Sequence, residues 1–203
     1  TILDTANIIL AITASDVTVS NMTVRNGTQG AQLTGTLANI SFANMAFEDQ
    51  TSRGIEVAGA TVTNLSVTNS TIATADAPGI RMSSTSQVNG LIVTGSTFDG
   101  NQLGIYQAND DNTSTLTNVT VTGNSFSNHS LYGFYVEEIS EALVQNNTFT
   151  NDVVGFYIYK SYTTSGQALQ NVTVTNNTFT DNPGMAIRFL IQQNDIGANI
   201  QFT

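Results

Sequence analysis

The side chains able to do chemistry are few. His129 is the only imidazole in the chain and cysteine is absent, which removes a His-x-x-x-His metal pair, thiolate ligands and disulfides. A single imidazole can act as a general base or join a Ser-His-Asp triad, but no Gly-x-Ser-x-Gly elbow accompanies it. His129 has no orienting carboxylate nearby in the sequence, so it reads as a solvated turn residue. Asp110-Asp111, between Asn109 and Asn112, offers hard oxygen ligands to calcium, although two adjacent acids on a long turn read as a solvated loop. What remains is aromatic and basic: Arg81, Tyr106, Tyr135, Tyr157 and Arg188 recur about one structural repeat apart, with Glu137 and Tyr159 two residues beyond the second and third tyrosines. Such groups stack on sugar rings or anchor a protein partner. No catalytic residue, metal site or cofactor is assigned.

These residues owe their spacing to an internal repeat. One frame reads Asn-Φ-x-Φ-x-Asn-x-x-Φ, where Φ is apolar, and its clearest copy is Asn171-Val172-Thr173-Val174-Thr175-Asn176-Asn177-Thr178-Phe179. The first Φ falls at Val17, Ile40, Leu65, Leu91, Val119, Ala142, Val172 and Ile200, at spacings of 23, 25, 26, 28, 23, 30 and 28 residues. A second frame, Gly-Φ-x-Φ, begins at Gly30, Gly54, Gly79, Gly104, Gly133 and Gly155, with Asn7 and Ala186 in the Gly place at the ends. The arc from Φ to Gly is always 13 or 14 residues, whereas the arc from Gly to the next Φ runs from 9 to 17. A fixed arc beside a variable one is what a solenoid produces. The long connections fall around 107–117, 158–170 and 190–198.

The repeat predicts an all-β, right-handed, single-stranded parallel β-helix of about eight coils, with three short strands per coil, as one domain over 1–203. Period-two alternation points Φ inward and Thr or Ser outward. Phe98, Phe126, Phe149 and Phe179 are expected to stack in the interior. Asn21, Asn44, Asn69, Asn146 and Asn176 form an expected ladder that Gly95 and Gly123 interrupt, and the next residue, such as Asn147 or Asn177, is expected to be left-handed. The outward stripe of the Gly strands is Gln32, Glu56, Arg81, Tyr106, Tyr135, Tyr157 and Arg188.

This pattern resembles the parallel β-helix family typified by pectate lyases and alginate-modifying enzymes. The resemblance spans nearly the whole chain and implies a face, that of the Gly strands, where polysaccharide-acting members carry out catalysis. Long loops often wall that face in the family, but here the connection from the Phe position to the Gly is 6 or 7 residues in every coil. Leu131-Tyr132-Gly133-Phe134-Tyr135-Val136-Glu137-Glu138 is similar to the Tyr-Gly-Phe-Asp-Pro-His-Glu motif of mannuronan C-5 epimerases. Tyr132, Gly133 and Phe134 match and Glu138 keeps the final acid. Tyr135, Val136 and Glu137 replace the Asp, Pro and His, so the groups that would move protons are missing.

With 15 acidic against 5 basic residues and a net charge of −10, nucleic acid and anionic membranes are poor partners. No run of eighteen apolar residues is present to span a bilayer. The chain starts without an initiator Met or signal peptide and reads as a processed or excised form. Eleven N-x-[ST] sequons occur; Asn26, Asn112 and Asn128 are the candidate glycosylation sites, several others being expected to be buried. The N-terminal segment enters at a Gly-type strand and the C-terminal segment stops after an Asn-type strand. Ile8, Leu10, Ile200 and Phe202 therefore suggest copies stacking head to tail. The resulting expectation is a non-enzymatic, secreted or cell-surface structural glycoprotein: a filament subunit, adhesin stalk or surface-layer component. The alternative is a lyase, epimerase or carbohydrate-binding β-helix with polysaccharide as partner.

Overall fold

In the computed structural model, residues 1–4, 7–74, 77–108, 113–160, 169–191 and 199–203 are described. They form three parallel sheets of eight strands each, every strand hydrogen-bonded to its counterparts in the coils before and after. The solenoid and its three strands per coil match the expectation. One strand was not anticipated: Ile2–Asp4 precedes Ile8–Ile12 and pairs with Thr23–Arg25, so the first strand is of the Phe type rather than the Gly type.

The sheets follow the frames read from the sequence. Register pairs Leu65 with Leu91 and Leu91 with Val119 in the Asn sheet, and Phe98 with Phe126 and Phe126 with Phe149 in the Phe sheet. The four phenylalanines stack at centroid separations of 4.8, 4.7 and 4.9 Å with rings within 9° of parallel. Phe98, Phe126 and Phe149 are fully buried, each contributing about 2–3 kcal/mol, while Phe179 is partly buried, and the core runs unbroken along the axis from Ile12 to Val174.

Glycine in the second frame is a matter of space, not of backbone angle. A Cβ on Gly133 would lie 2.6 Å from the Gly155 carbonyl oxygen and 2.8 Å from the Phe149 ring. The neighbouring coil's backbone therefore excludes any side chain there.

The corners between sheets carry the left-handed residues. Asn21, Asn44, Asn69, Asn146 and Asn176 have φ between 48 and 58°, a conformation that Asn tolerates and Gly adopts freely. Gly95 and Gly123 occupy the same column with φ of 59 and 65°, so they continue the backbone ladder and interrupt only its side chains. The left-handed position is thus the ladder residue itself, not Asn147 or Asn177 as expected. Those two turn inward instead. Asn147 Oδ1 accepts from the Asn124 amide N–H and Nδ2 at 2.9 and 3.0 Å, and Asn147 Nδ2 donates to the Val121 carbonyl and Asn177 Oδ1 at 2.8 and 2.9 Å. Corner backbone groups that no strand can pair are satisfied by this buried amide column.

Asn147→Ala removes the only acceptor of the buried Asn124 backbone N–H and two further bonds made by the Asn147 side-chain amide. It is expected to lower the unfolding free energy by about 3 kcal/mol in urea titrations, whereas Thr175→Ala on the outer face changes it by less than about 0.5 kcal/mol.

Candidate functional site

The outward stripe of the Gly sheet is in register. Gln32, Glu56, Arg81, Tyr106, Tyr135, Tyr157 and Arg188 sit one above another through seven consecutive strands. At its N-terminal end Glu56 is buried and fully engaged: Oε1 lies 3.1 Å from both Arg53 Nε and Arg81 Nη1, and Oε2 accepts from Gln29 Nε2 at 2.5 Å. Burial holds the Arg53 guanidinium below its ordinary value, with Glu56 acting in the opposite sense. This cluster ties three coils together and presents no free acid.

The centre of the stripe is aromatic. Tyr106, Tyr135 and Tyr157 follow one another at 5.3 and 5.0 Å between ring centroids. Arg81 lies over Tyr106 at 5.9 Å and Arg188 over Tyr157 at 4.8 Å, so a cation rests on the ring at each end of the row. Tyr159 adjoins Tyr157 at 6.1 Å. The alternation rule missed Tyr132: counting back by two from Tyr135 puts Gly133 on this face and Tyr132 on the other. The first residue of the strand departs from that alternation, and its ring stacks on Tyr135 at 5.3 Å and 20°. Together with Gln102, Leu103 and Leu131 the tyrosines line an open recess of about 400 Å³.

Within it, the Tyr135 hydroxyl donates to Glu137 Oε1 at 2.8 Å. Burial, then the Glu137 charge, pushes the Tyr135 phenol far above its ordinary value; burial also raises Tyr157, against the pull of Arg188. Glu138 is buried and paired with Lys160. Its backbone N–H and that of Glu137 both donate to Gln107 Oε1 at 2.8 Å. The two acids of the epimerase-like segment therefore serve the coil's own structure.

His129 is not the solvated turn residue expected. It is 2% exposed, and its Nδ1 lies 2.6 Å from Asp152 Oδ1. The orienting carboxylate is 23 residues away, one coil on. A readable signal was present: Gln50, Asn101, His129, Asp152 and Asn182 each follow a column phenylalanine by three residues. They form a second inward polar column, closed to substrate.

The remaining candidates separate. Ile8 and Phe202 are 38% and 42% exposed, while Leu10 and Ile200 pack partly against the core. Asn112 and the Asp110-Asp111 pair lie outside the described residues. All ten described sequon asparagines are exposed and left-handed, contrary to the expectation that several would be buried. The corner that selects a left-handed Asn is followed two residues later by an outward Ser or Thr, so the fold generates the sequon. The Asn26 and Asn128 side-chain amides already donate to Asp4 and Asp99 at 2.9 and 2.7 Å.

The family model of the right-handed β-helix region matches residues 4–121, and that of the periplasmic copper-binding protein (NosD) matches residues 92–200. The chain belongs to both families. No curated protein and no solved structure matches it, and the epimerase likeness gains no support. Nor do the residues fit a copper centre. Among the described residues no three His, Cys, Asp or Glu side chains converge, and both His129 ring nitrogens face side chains of the core.

Because the Tyr135 phenol is raised in the folded state, its contribution to stability is fully present below pH 10, the ordinary value, and is lost as pH climbs above it. Phenolate absorbance should show Tyr135 silent until the fold melts in alkali, and Tyr135→Phe should make the alkaline loss of stability shallower.

Proposed function

We propose that this chain is a non-catalytic β-helix, working outside the cytoplasm, that holds a polysaccharide along its tyrosine face. The observation that carries the reading is the tyrosine row itself: three aromatic rings in register, two more beside them, and a guanidinium at either end, over an open recess. Aromatic faces pack on the C–H faces of sugar rings, and hydroxyl and guanidinium groups supply the hydrogen bonds that orient them. A row along the axis suits an extended chain.

The non-catalytic part follows from the titratable groups. An active site needs an acid and a base converging on one point. Here Glu56 is tied to two arginines, Glu138 to Lys160 and His129 to Asp152, while Glu137 holds the Tyr135 hydroxyl. The location draws on the periplasmic description of the NosD family. The copper in that description is not carried over, and copper(II) should leave the thermal midpoint unmoved.

Calorimetric titration with neutral and acidic oligosaccharides should find a binder. Tyr106→Ala and Tyr135→Ala should each weaken it about tenfold, equivalent to about 1.4 kcal/mol. Incubation with the same polysaccharide should release no reducing ends or unsaturated products. Product formation would restore the enzyme reading; failure of every saccharide to bind would end this one.

A further inference from the structure

The chain has no cysteine and no tryptophan, so a one-electron oxidant finds tyrosine the easiest side chain to oxidise. Methionine, the other oxidisable type, reacts differently: it takes up an oxygen atom and becomes its sulfoxide. Five of the six tyrosines lie in one contiguous group. The sixth, Tyr162, lies outside the described residues. The group converges on Tyr135, which meets Tyr106, Tyr132 and Tyr157 at 5.3, 5.3 and 5.0 Å between ring centroids.

A phenol that loses an electron becomes a strong acid and must shed its proton. Burial, then the Glu137 charge, keeps that proton on the resting Tyr135 phenol, but the hydroxyl already donates it to Glu137 Oε1 at 2.8 Å. Electron and proton can therefore leave Tyr135 together, the proton passing to the carboxylate. The neutral radical that results carries unpaired density on the ring carbons ortho to oxygen. Two such radicals couple through these carbons, and the new bond lies in the plane of each ring. Tyr132 stacks on Tyr135 at 20°, face to face, so its edge is turned away from such a bond. Tyr106 is tilted by 49° and is the register partner of Tyr135 in the adjacent coil. Tyr157 is tilted too, by 69°, but is only 6% exposed, whereas Tyr106 and Tyr135 are both half-buried and line the open recess.

We propose that the tyrosine row is a site of oxidative cross-linking, where a one-electron oxidant couples Tyr106 to Tyr135 and staples two neighbouring coils. Two equivalents of oxidant remove one electron from each phenol. The Tyr135 proton goes to Glu137 and the Tyr106 proton to water. A carbon–carbon bond forms between the two ortho positions. Each coupled ring then rearomatises, its ortho C–H proton leaving as a phenol O–H forms again. The net loss is two electrons and two protons, and no atom is added. The bond closes a loop over one coil in a chain without disulfides, and it constrains the unfolded state as a disulfide does. This step does not depend on the glycan-binding reading.

The test exposes the full chain, folded and dilute at neutral pH, to a photo-oxidised ruthenium tris-bipyridyl complex with persulfate as the electron sink. Dityrosine fluorescence should appear on the monomer, and its intact mass should fall by two hydrogen atoms. Peptide mapping should join the Tyr106 peptide to the Tyr135 peptide, and the cross-linked monomer should melt at a higher temperature than the untreated chain. Tyr106→Phe and Tyr135→Phe keep the packed rings and lose only a hydroxyl; each should abolish that join. Glu137→Gln keeps an acceptor for the Tyr135 hydroxyl but is no base, and should slow the coupling about tenfold. Chain unfolded in urea should show no preference for this pair. The proposal is overturned if the folded monomer gains no dityrosine, if coupling maps to another pair or only between chains, or if either Phe variant keeps the wild-type yield of the join. An unchanged rate in Glu137→Gln overturns the proton route through that carboxylate. Should a variant not fold, mapping of the unmodified chain, folded against unfolded, decides the site.

Discussion

Parallel hydrogen bonding from each coil to the next fixes almost everything else in this molecule. It sets adjacent strands about 4.8 Å apart and places each residue above its counterpart one repeat earlier. A side chain therefore cannot be chosen alone, because it must suit the same column in two neighbours. Phenylalanine is favoured at 98, 126, 149 and 179 because planar rings at this spacing stack face to face. Glycine is required at 104, 133 and 155 because the neighbouring coil fills the place of a Cβ. The length of the connections is free, since loops leave the stack without disturbing its register.

The same constraint dictates how polar groups enter the core. At each corner the chain changes sheets and its amides lose their ladder partners. Buried Asn side chains replace them, bridging coil to coil while their own amides are satisfied by backbone carbonyls. His129 and Asp152 occupy such a column and inherit its geometry: the Asp152 carboxylate accepts the His129 N–H as Asn101 Oδ1 accepts the Thr74 N–H and Asn182 Oδ1 the Asp152 N–H in neighbouring coils. The pair is thus a substitution within a structural device.

Columns are legible in a sequence because they repeat, and this determined which expectations held. The two frames, the three strands per coil, the phenylalanine stack and the order of the tyrosine stripe all followed from residue spacing. Three-dimensional detail at the corners did not. Tyr132 was lost because the first residue of its strand breaks the alternation by two. Asp152 was separated from His129 by a full coil, and only alignment on Phe126 and Phe149 joins them. Asn147 and Asn177 were assigned left-handed because Asn favours that conformation. The structure gives it to the preceding Asn and sends these two inward, a choice driven by unpaired corner amides that no local propensity reports.

Repetition also shapes what the surface can do. Stacked coils set like beside like and so create rows, whereas a catalytic centre needs unlike groups meeting at a point. Loops can supply that convergence in other β-helices, but over the recess here the connections leading into the Gly strands are short. A row of aromatic rings offers equivalent contacts at successive steps along the axis, and the partner that gains most from equivalent steps is itself a repeating chain. Each ring adds a modest increment, but successive contacts with one ligand act at high effective concentration and combine into a useful affinity. The guanidinium groups on the terminal rings bound the row, so on the proposed reading the length of chain it would engage is set by the number of coils between Arg81 and Arg188.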